Sequence, residues 1–176
     1  MTEKTAKRVY TYSLFLGFAL LCWQILIYRK TIVDPRLLLI IVFIATIIGV
    51  VMISRNYSKI YPMYSGIRLM FFTVLQSLVS FGFIASAIFL LMNFYFASEE
   101  IEIQKHAIIS RSSMSGGKRH RNERKPIFEI QYNSYYRKQL VFSNQFYERR
   151  NEFKIVELEV KEGFFGFDIL ENKTLK

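Results

Sequence analysis

Three stretches without a charged residue dominate the first half of the chain, at residues 9–28, 37–54 and 69–98. An α-helix rises about 1.5 Å per residue, and the hydrocarbon core of a bilayer is about 30 Å thick. Each stretch is therefore long enough to cross a membrane as a helix that satisfies its own backbone hydrogen bonds. The pattern predicts an integral membrane protein with a basic tail at residues 1–8, a three-helix transmembrane region at 9–98 and a soluble segment at 99–176.

The soluble segment changes to an alternation of apolar and polar positions, which is typical of strands with one buried face. Five groups of apolar residues are each expected to lie on the buried face of a strand. They are Ile101, Ile103, Ala107 and Ile109; Phe128, Ile130 and Tyr132; Leu140 and Phe142; Val156, Leu158 and Val160; and Phe165, Phe167 and Ile169. A two-residue turn at Glu162-Gly163 would connect the last two strands. We expect a five-stranded antiparallel sheet, curled or closed into a partial barrel.

The connections between the apolar stretches suggest how the helices are arranged. Asp34-Pro35 combines a good N-cap with a good first helical residue, which favours a tight hairpin of the first two helices as antiparallel neighbours. The third stretch would form a helix of about 45 Å, longer than a bilayer core. It must tilt, kink near Gly82 or extend as a stalk, and we expect the stalk.

Small and amide residues inside the stretches are candidates for helix packing. Small residues four positions apart let helix backbones approach closely, and an amide can add a hydrogen bond between helices. The candidates are Ser13, Gly17, Ala45, Gly49, Gly82 and Ser86, with Gln24 and Gln76. They can serve a specific packing or homo-oligomer contact, or reflect the abundance of small residues in membrane helices. No Asp, Glu, Lys, Arg or His lies within the stretches, so a pump or transporter made of one chain is not expected.

The net charge of +10 is unevenly distributed along the chain. Nine Lys and Arg against two acids precede residue 99, whereas fifteen against twelve follow it. Most of the excess therefore flanks the apolar stretches, where basic residues set orientation and meet anionic lipid headgroups. Nucleic acid is not expected as a partner.

A basic segment at residues 111–125 joins the first two predicted strands and contains Gly116-Gly117. It can contact phosphate groups, such as those of anionic lipids, or be a solvated loop without a ligand. The candidate anion contacts are Lys118, Arg119, Arg121, Arg124 and Lys125.

Catalytic and metal-binding patterns are missing from the sequence. Cys22 is the single cysteine, and His106 and His120 are the two histidines, without the spacing of a metal site. Glu157 and Glu159 lie two positions apart, as on the solvated face of a strand. We predict no catalytic residue, no metal and no cofactor.

Three functions remain open at this point. The first is a non-enzymatic membrane protein that presents its β domain to a partner, as an accessory or scaffold subunit. The second is an oligomeric channel or transport component, and the third is binding of anionic lipid or another polyanion by the basic segment. We expect a multi-pass protein of a bacterial cytoplasmic membrane, with the N-terminus inside and the β domain outside. That orientation places six basic residues inside and five outside.

Overall fold

A computed structural model describes residues 3–115, 123–133 and 136–176. The chain forms two compact units, one of Met1–Phe96 with Gly163–Phe167 and one of Ala97–Glu162 with Asp168–Lys176. The first unit thus contains a short segment that the sequence pattern assigned to the β domain. The two units are described separately below.

Three helices form the body of the first unit: α1 (Glu3–Lys30), α2 (Pro35–Ile60) and the span Gly66–Tyr95. All three are long and apolar enough to cross a membrane. The Asp34 side chain accepts a hydrogen bond of 2.8 Å from the backbone N–H of Arg36, and Pro35 begins α2. The predicted N-cap and the predicted short connection are therefore both present.

The third span is not a uniform α-helix. It comprises α3 (Gly66–Ser77), a π-helical segment (Leu78–Phe83) and α4 (Ile84–Tyr95). Gly82 lies in the π-helical segment, at the position where the sequence suggested a kink as one of three alternatives. The helix ends at Tyr95 and not at residue 98, because Phe96 has left the helical conformation.

The third span packs against both α1 and α2, whereas α1 and α2 contact each other little. The short connection therefore joins two helices whose main neighbour is the third span. The predicted hairpin of α1 and α2 is present, and the third span supplies most of the packing of both helices. A capped turn fixes where a helix begins, but side-chain packing decides which helix it contacts.

Five strands form the second unit: β1 (Ile101–Ser115), β2 (Arg124–Gln131), β3 (Arg137–Val141), β4 (Ile155–Lys161) and β5 (Ile169–Leu175). They pair antiparallel in the order β3-β2-β1-β4-β5. The sheet curls into a half-barrel, so that Lys173 of β5 donates a hydrogen bond of 2.6 Å to the carbonyl oxygen of Val141 in β3. A short 3₁₀ turn, Asn144–Phe146, follows β3. The predicted curled five-stranded sheet is confirmed.

The buried face of β1 is the opposite of the predicted one. Gln104 pairs with the buried Leu158 and Ile108 pairs with the buried Ile130, so the even-numbered residues face the sheet interior. The side chains of Ile101 and Ile103 are 57% and 64% exposed. The apolar pattern alone predicted the wrong face, because register with the neighbouring strands decides which face is covered.

The fifth strand also begins later than predicted. Phe165 and Phe167 belong to the connection between β4 and β5, and of the three predicted residues only Ile169 lies in β5. The connection is therefore longer than a two-residue turn, and its middle belongs to the first unit.

Candidate functional site

The outer face of β1 carries an apolar strip in the middle of the sheet. This β1 strip consists of Ile101, Ile103, Ala107 and Ile109, together with Ile155 of β4. Ile155 joins the strip because it pairs directly with Ala107, and all five residues are exposed. The strip is the face that the alternation of the sequence predicted as buried.

The one charged residue within the β1 strip, Lys105, is paired with a carboxylate of β4. Lys105 pairs in register with Glu157, and its Nζ lies 3.5 Å from the carboxylate. Lys176 approaches the same carboxylate to 2.6 Å. The hydrogen bond from Lys176, assisted by Lys105, holds the pKa of Glu157 below its usual range. The strip thus presents apolar side chains together with two lysines that share the Glu157 carboxylate.

The inner face of the sheet contains a polar cluster that sequence reasoning missed. Tyr132 donates a hydrogen bond to Asp168, and the Gln104 amide lies 3.4 Å from both Asp168 and Glu102. His106 contacts the carbonyl oxygen of Gln131 at 3.1 Å and the Gln104 side-chain oxygen at 3.3 Å. Its ring also stacks on that of Tyr132, with centroids 5.0 Å apart.

These contacts suit a structural role for the cluster. Burial, followed by the contact with Asp168, raises the pKa of Tyr132, so its phenol keeps the proton that it donates. The signal in the sequence was the row of polar residues Glu102, Gln104 and His106 on one face of β1. That row resembles a solvated face, which is why the pattern was misleading.

Two lysines lie on the same inner face. Lys138 is 8% exposed beside Ile130, and burial followed by the charge of Lys173 lowers its pKa to about 8. Burial also lowers the pKa of Lys173, whose Nζ lies 4.9 Å from the centre of the Phe142 ring. Sequence reasoning missed both, although Lys138 alternates with Leu140 on the buried face of β3.

The predicted helix-packing residues contact other residues of the same chain. The Gln76 amide donates to Ser13 at 3.2 Å and to Ser80 at 2.7 Å, and Ser86 donates to Gln24 at 2.9 Å. Three glycines lie at close approaches between helices, where a side chain would overlap a neighbour. They are Gly17 against Val79, Gly49 against Phe81, and Gly82 against Thr46. Ala45 is half-buried on α2.

The predicted anion contacts are only partly within the described residues. Lys118, Arg119 and Arg121 lie outside them, whereas Arg124 and Lys125 are exposed at the start of β2. Arg124 donates to the Tyr147 hydroxyl at 3.2 Å, which lowers the pKa of that phenol.

The depression next to Arg124 does not favour an anion. It has a volume of about 370 Å³ and is lined by Glu123, Arg124, Asn144, Tyr147 and Glu148. Two carboxylates therefore accompany the single guanidinium in its lining.

Among the described residues, no group of three or more His, Cys, Asp or Glu side chains is placed to hold a metal ion. Comparison of the chain with protein-family models, curated proteins and solved structures finds no match.

Proposed function

We propose that this chain is a non-enzymatic membrane protein whose β domain binds a second protein of the same membrane through the β1 strip. The observation that carries this proposal is the exposure of Ile101, Ile103 and Ile109 on the central strand of the sheet. Isolated exposed apolar residues are common, whereas this strip groups several isoleucines on one face, interrupted by Lys105 and bordered by polar residues, as interaction surfaces often are.

The size of the strip favours a partner in the same membrane. At about 3.3 Å per residue, and with strands about 4.8 Å apart, the strip covers roughly 250 Å². A stable complex of two soluble proteins buries about 800 Å² on each partner. Confinement to one bilayer raises the effective concentration of two proteins, so that a small contact suffices.

We further propose that the three helices span a bacterial cytoplasmic membrane, with the N-terminus inside and the β domain outside. The balance of basic residues supports this orientation by one residue. In a Cys22→Ser background, Lys154→Cys should react with an impermeant maleimide in intact spheroplasts, whereas Lys4→Cys should react only after lysis. The reverse pattern would place the β domain inside.

Site-specific photo-crosslinking tests the partner proposal. A benzophenone side chain at Ile101, in cells that natively produce the protein, should give one discrete adduct with another membrane protein. The same group at the exposed Glu148, away from the strip, should not give this adduct. A crosslinker placed on the identified partner should in turn capture this chain.

Substitutions in the strip supply the matched control. Ile103→Ser and Ile109→Ser together should strongly reduce the adduct at Ile101. Val141→Ser, which alters an exposed apolar residue on β3, should leave it unchanged. Adducts with lipid alone, or no adduct, would refute the proposal. An adduct of two copies of this chain would replace the proposed partner with a homodimer.

A further inference from the structure

The connection between β4 and β5 is fastened to the end of the third span by a buried asparagine. Asn93 in α4 is fully buried, and its amide donates to the carbonyl oxygen of Phe167 at 2.8 Å. Its side-chain oxygen accepts from the backbone N–H of Phe165 at 3.0 Å, and its own carbonyl accepts from Phe164 at 3.2 Å. One residue of the helix thus satisfies three backbone groups of the loop Gly163–Phe167.

Two glycines allow the loop to adopt this conformation. A side chain at Gly163 would overlap the Asn93 amide and the carbonyl oxygen of Phe167. Gly166 has a φ of 77°, in the left-handed region that other residues avoid. Its N–H donates to the carbonyl oxygen of Gly163 at 2.8 Å, which closes the turn.

The turn exposes two of its three phenylalanines while anchoring the third. Phe167 packs against the buried cluster of Ile27, Val33 and Leu90. The ring of Phe165 stacks parallel to Phe89, with centroids 4.8 Å apart, yet Phe165 is 42% exposed. The ring of Phe164 lies edge-to-face with that of Phe96, with centroids 6.1 Å apart, and Phe164 is 56% exposed.

The depth of these rings along the helices indicates what covers them. Phe89 is next to Leu90 in α4, and Leu90 packs with Ile27 of α1. Ile27 lies near the end of the charge-free stretch, two positions before Arg29. The aromatic pair Trp23 and Tyr95 also belongs to this part of the unit. Trp and Tyr favour the membrane interface, and the first charged residues mark where headgroups begin. The loop therefore lies at the level where hydrocarbon meets headgroups.

We propose that Phe164 and Phe165 are embedded in lipid, so that the loop Gly163–Phe167 is a membrane-contacting element held against α4 by Asn93. The occupant of this aromatic surface is phospholipid, because the surface continues the lipid-facing surface of the helices. The inference rests on the proposed insertion of the three helices. It adds a contact with lipid that the apolar stretches do not include.

Tryptophan fluorescence in liposomes tests the inference, because Trp23 is the single tryptophan of the chain. Phe164→Trp and Phe165→Trp are made separately in a Trp23→Phe background and reconstituted without any other protein. Phospholipids brominated along their acyl chains should quench both new tryptophans as strongly as they quench Trp23 in the unaltered protein. Tyr147→Trp in the same background, placed in the β domain, should not be quenched.

The outcomes separate the two proposals. Quenching of Trp23 without quenching at positions 164 and 165 would refute lipid contact by the loop and leave membrane insertion standing. No quenching of Trp23 would refute the insertion itself. Should a tryptophan disturb the fold, Phe164→Cys in a Cys22→Ser background should react with a water-soluble maleimide much more slowly than Glu148→Cys. Equal rates would overturn the inference.

Discussion

Single buried polar residues carry much of the specificity of this structure. The Asn93 side chain binds the loop Gly163–Phe167, and the Gln76 amide connects Ser13 with Ser80. Lys138 is buried on the inner face of the curled sheet. A buried polar group is stabilising only where its hydrogen bonds are made, and a buried charge carries a desolvation penalty. Removing Asn93 should therefore lower the stability of the fold, whereas removing Lys138 should raise it.

For Asn93→Leu we expect a loss of about 2–5 kcal/mol in the free energy of unfolding, because two backbone groups of the loop lose their hydrogen-bond partner. The measurement is thermal or denaturant unfolding of the purified protein in mild detergent. Asn56→Leu, at an exposed position of α2, is the matched control and should change stability little. Equal effects of the two substitutions would show that the Asn93 hydrogen bonds contribute nothing net.

For Lys138→Met we expect a gain in stability that depends on pH. The folded pKa is lowered to about 8 from the ordinary value of 10.5. Between these values the unfolded chain holds a proton that the folded chain lacks, so the stability of the unaltered protein rises with pH over this window. Below pH 8 the charged lysine opposes folding, and its removal should stabilise by about 1–3 kcal/mol.

Unfolding of this variant and of the unaltered protein at pH 7 and at pH 9.5 shows whether the substitution raises stability and how that gain changes with pH. The gain should be larger at pH 7, since most Lys138 side chains in the folded protein are already neutral at pH 9.5. Lys154→Met, at an exposed lysine, should show no such difference. A loss of stability at both pH values would contradict the expected desolvation penalty.

At the scale of elements, close backbone approaches organise the helices. The Cβ of an alanine at position 17 would overlap the carbonyl oxygen of Val79, where α1 meets the π-helical segment. Gly17→Ala should lower stability by about 1–3 kcal/mol, because the two helices must move apart. Ala19→Val adds a larger volume, two carbon atoms, at an exposed position of α1 and should still be nearly neutral. The same unfolding measurement in detergent compares the two variants.

The elements also show what a sequence can predict here. Charge-free length predicted three helices, Asp34-Pro35 predicted the start of α2, and the alternation of Val156, Leu158 and Val160 predicted the buried face of β4. The predicted buried face of β1 was wrong, because pairing in register with β2 and β4 places Gln104 and Ile108 opposite buried residues. Phe165 and Phe167 alternate along the chain as strand residues do, so the pattern predicted a strand. In the structure both belong to the helical unit and not to the sheet. In both places the structure depends on contacts with residues distant in the sequence, and local periodicity carries no information about those contacts.

On the scale of the whole molecule, the chain enters the helical unit twice. Residues 3–96 build it, and the loop Gly163–Phe167 returns to it from between β4 and β5. The loop is held there by hydrogen bonds to Asn93 and by packing of Phe167 among Ile27, Val33 and Leu90. Cutting the chain once, between the third span and β1, therefore leaves both fragments in the same compact unit.

A protease site inserted after Ser98 tests this dual attachment. After cleavage in mild detergent, we expect the two fragments to elute together, since the docked loop still holds the second fragment to the helices. The same cleavage in an Asn93→Leu background should let them separate, because the loop loses the two hydrogen bonds that the Asn93 side chain makes. Insertion of the site into the exposed turn at residues 148–152, within the β domain, provides a control for accessibility. Separation of the fragments without any substitution would mean that the loop depends on the intact connection at residues 96–98. Its docking would then be a consequence of chain continuity and not of the Asn93 contact.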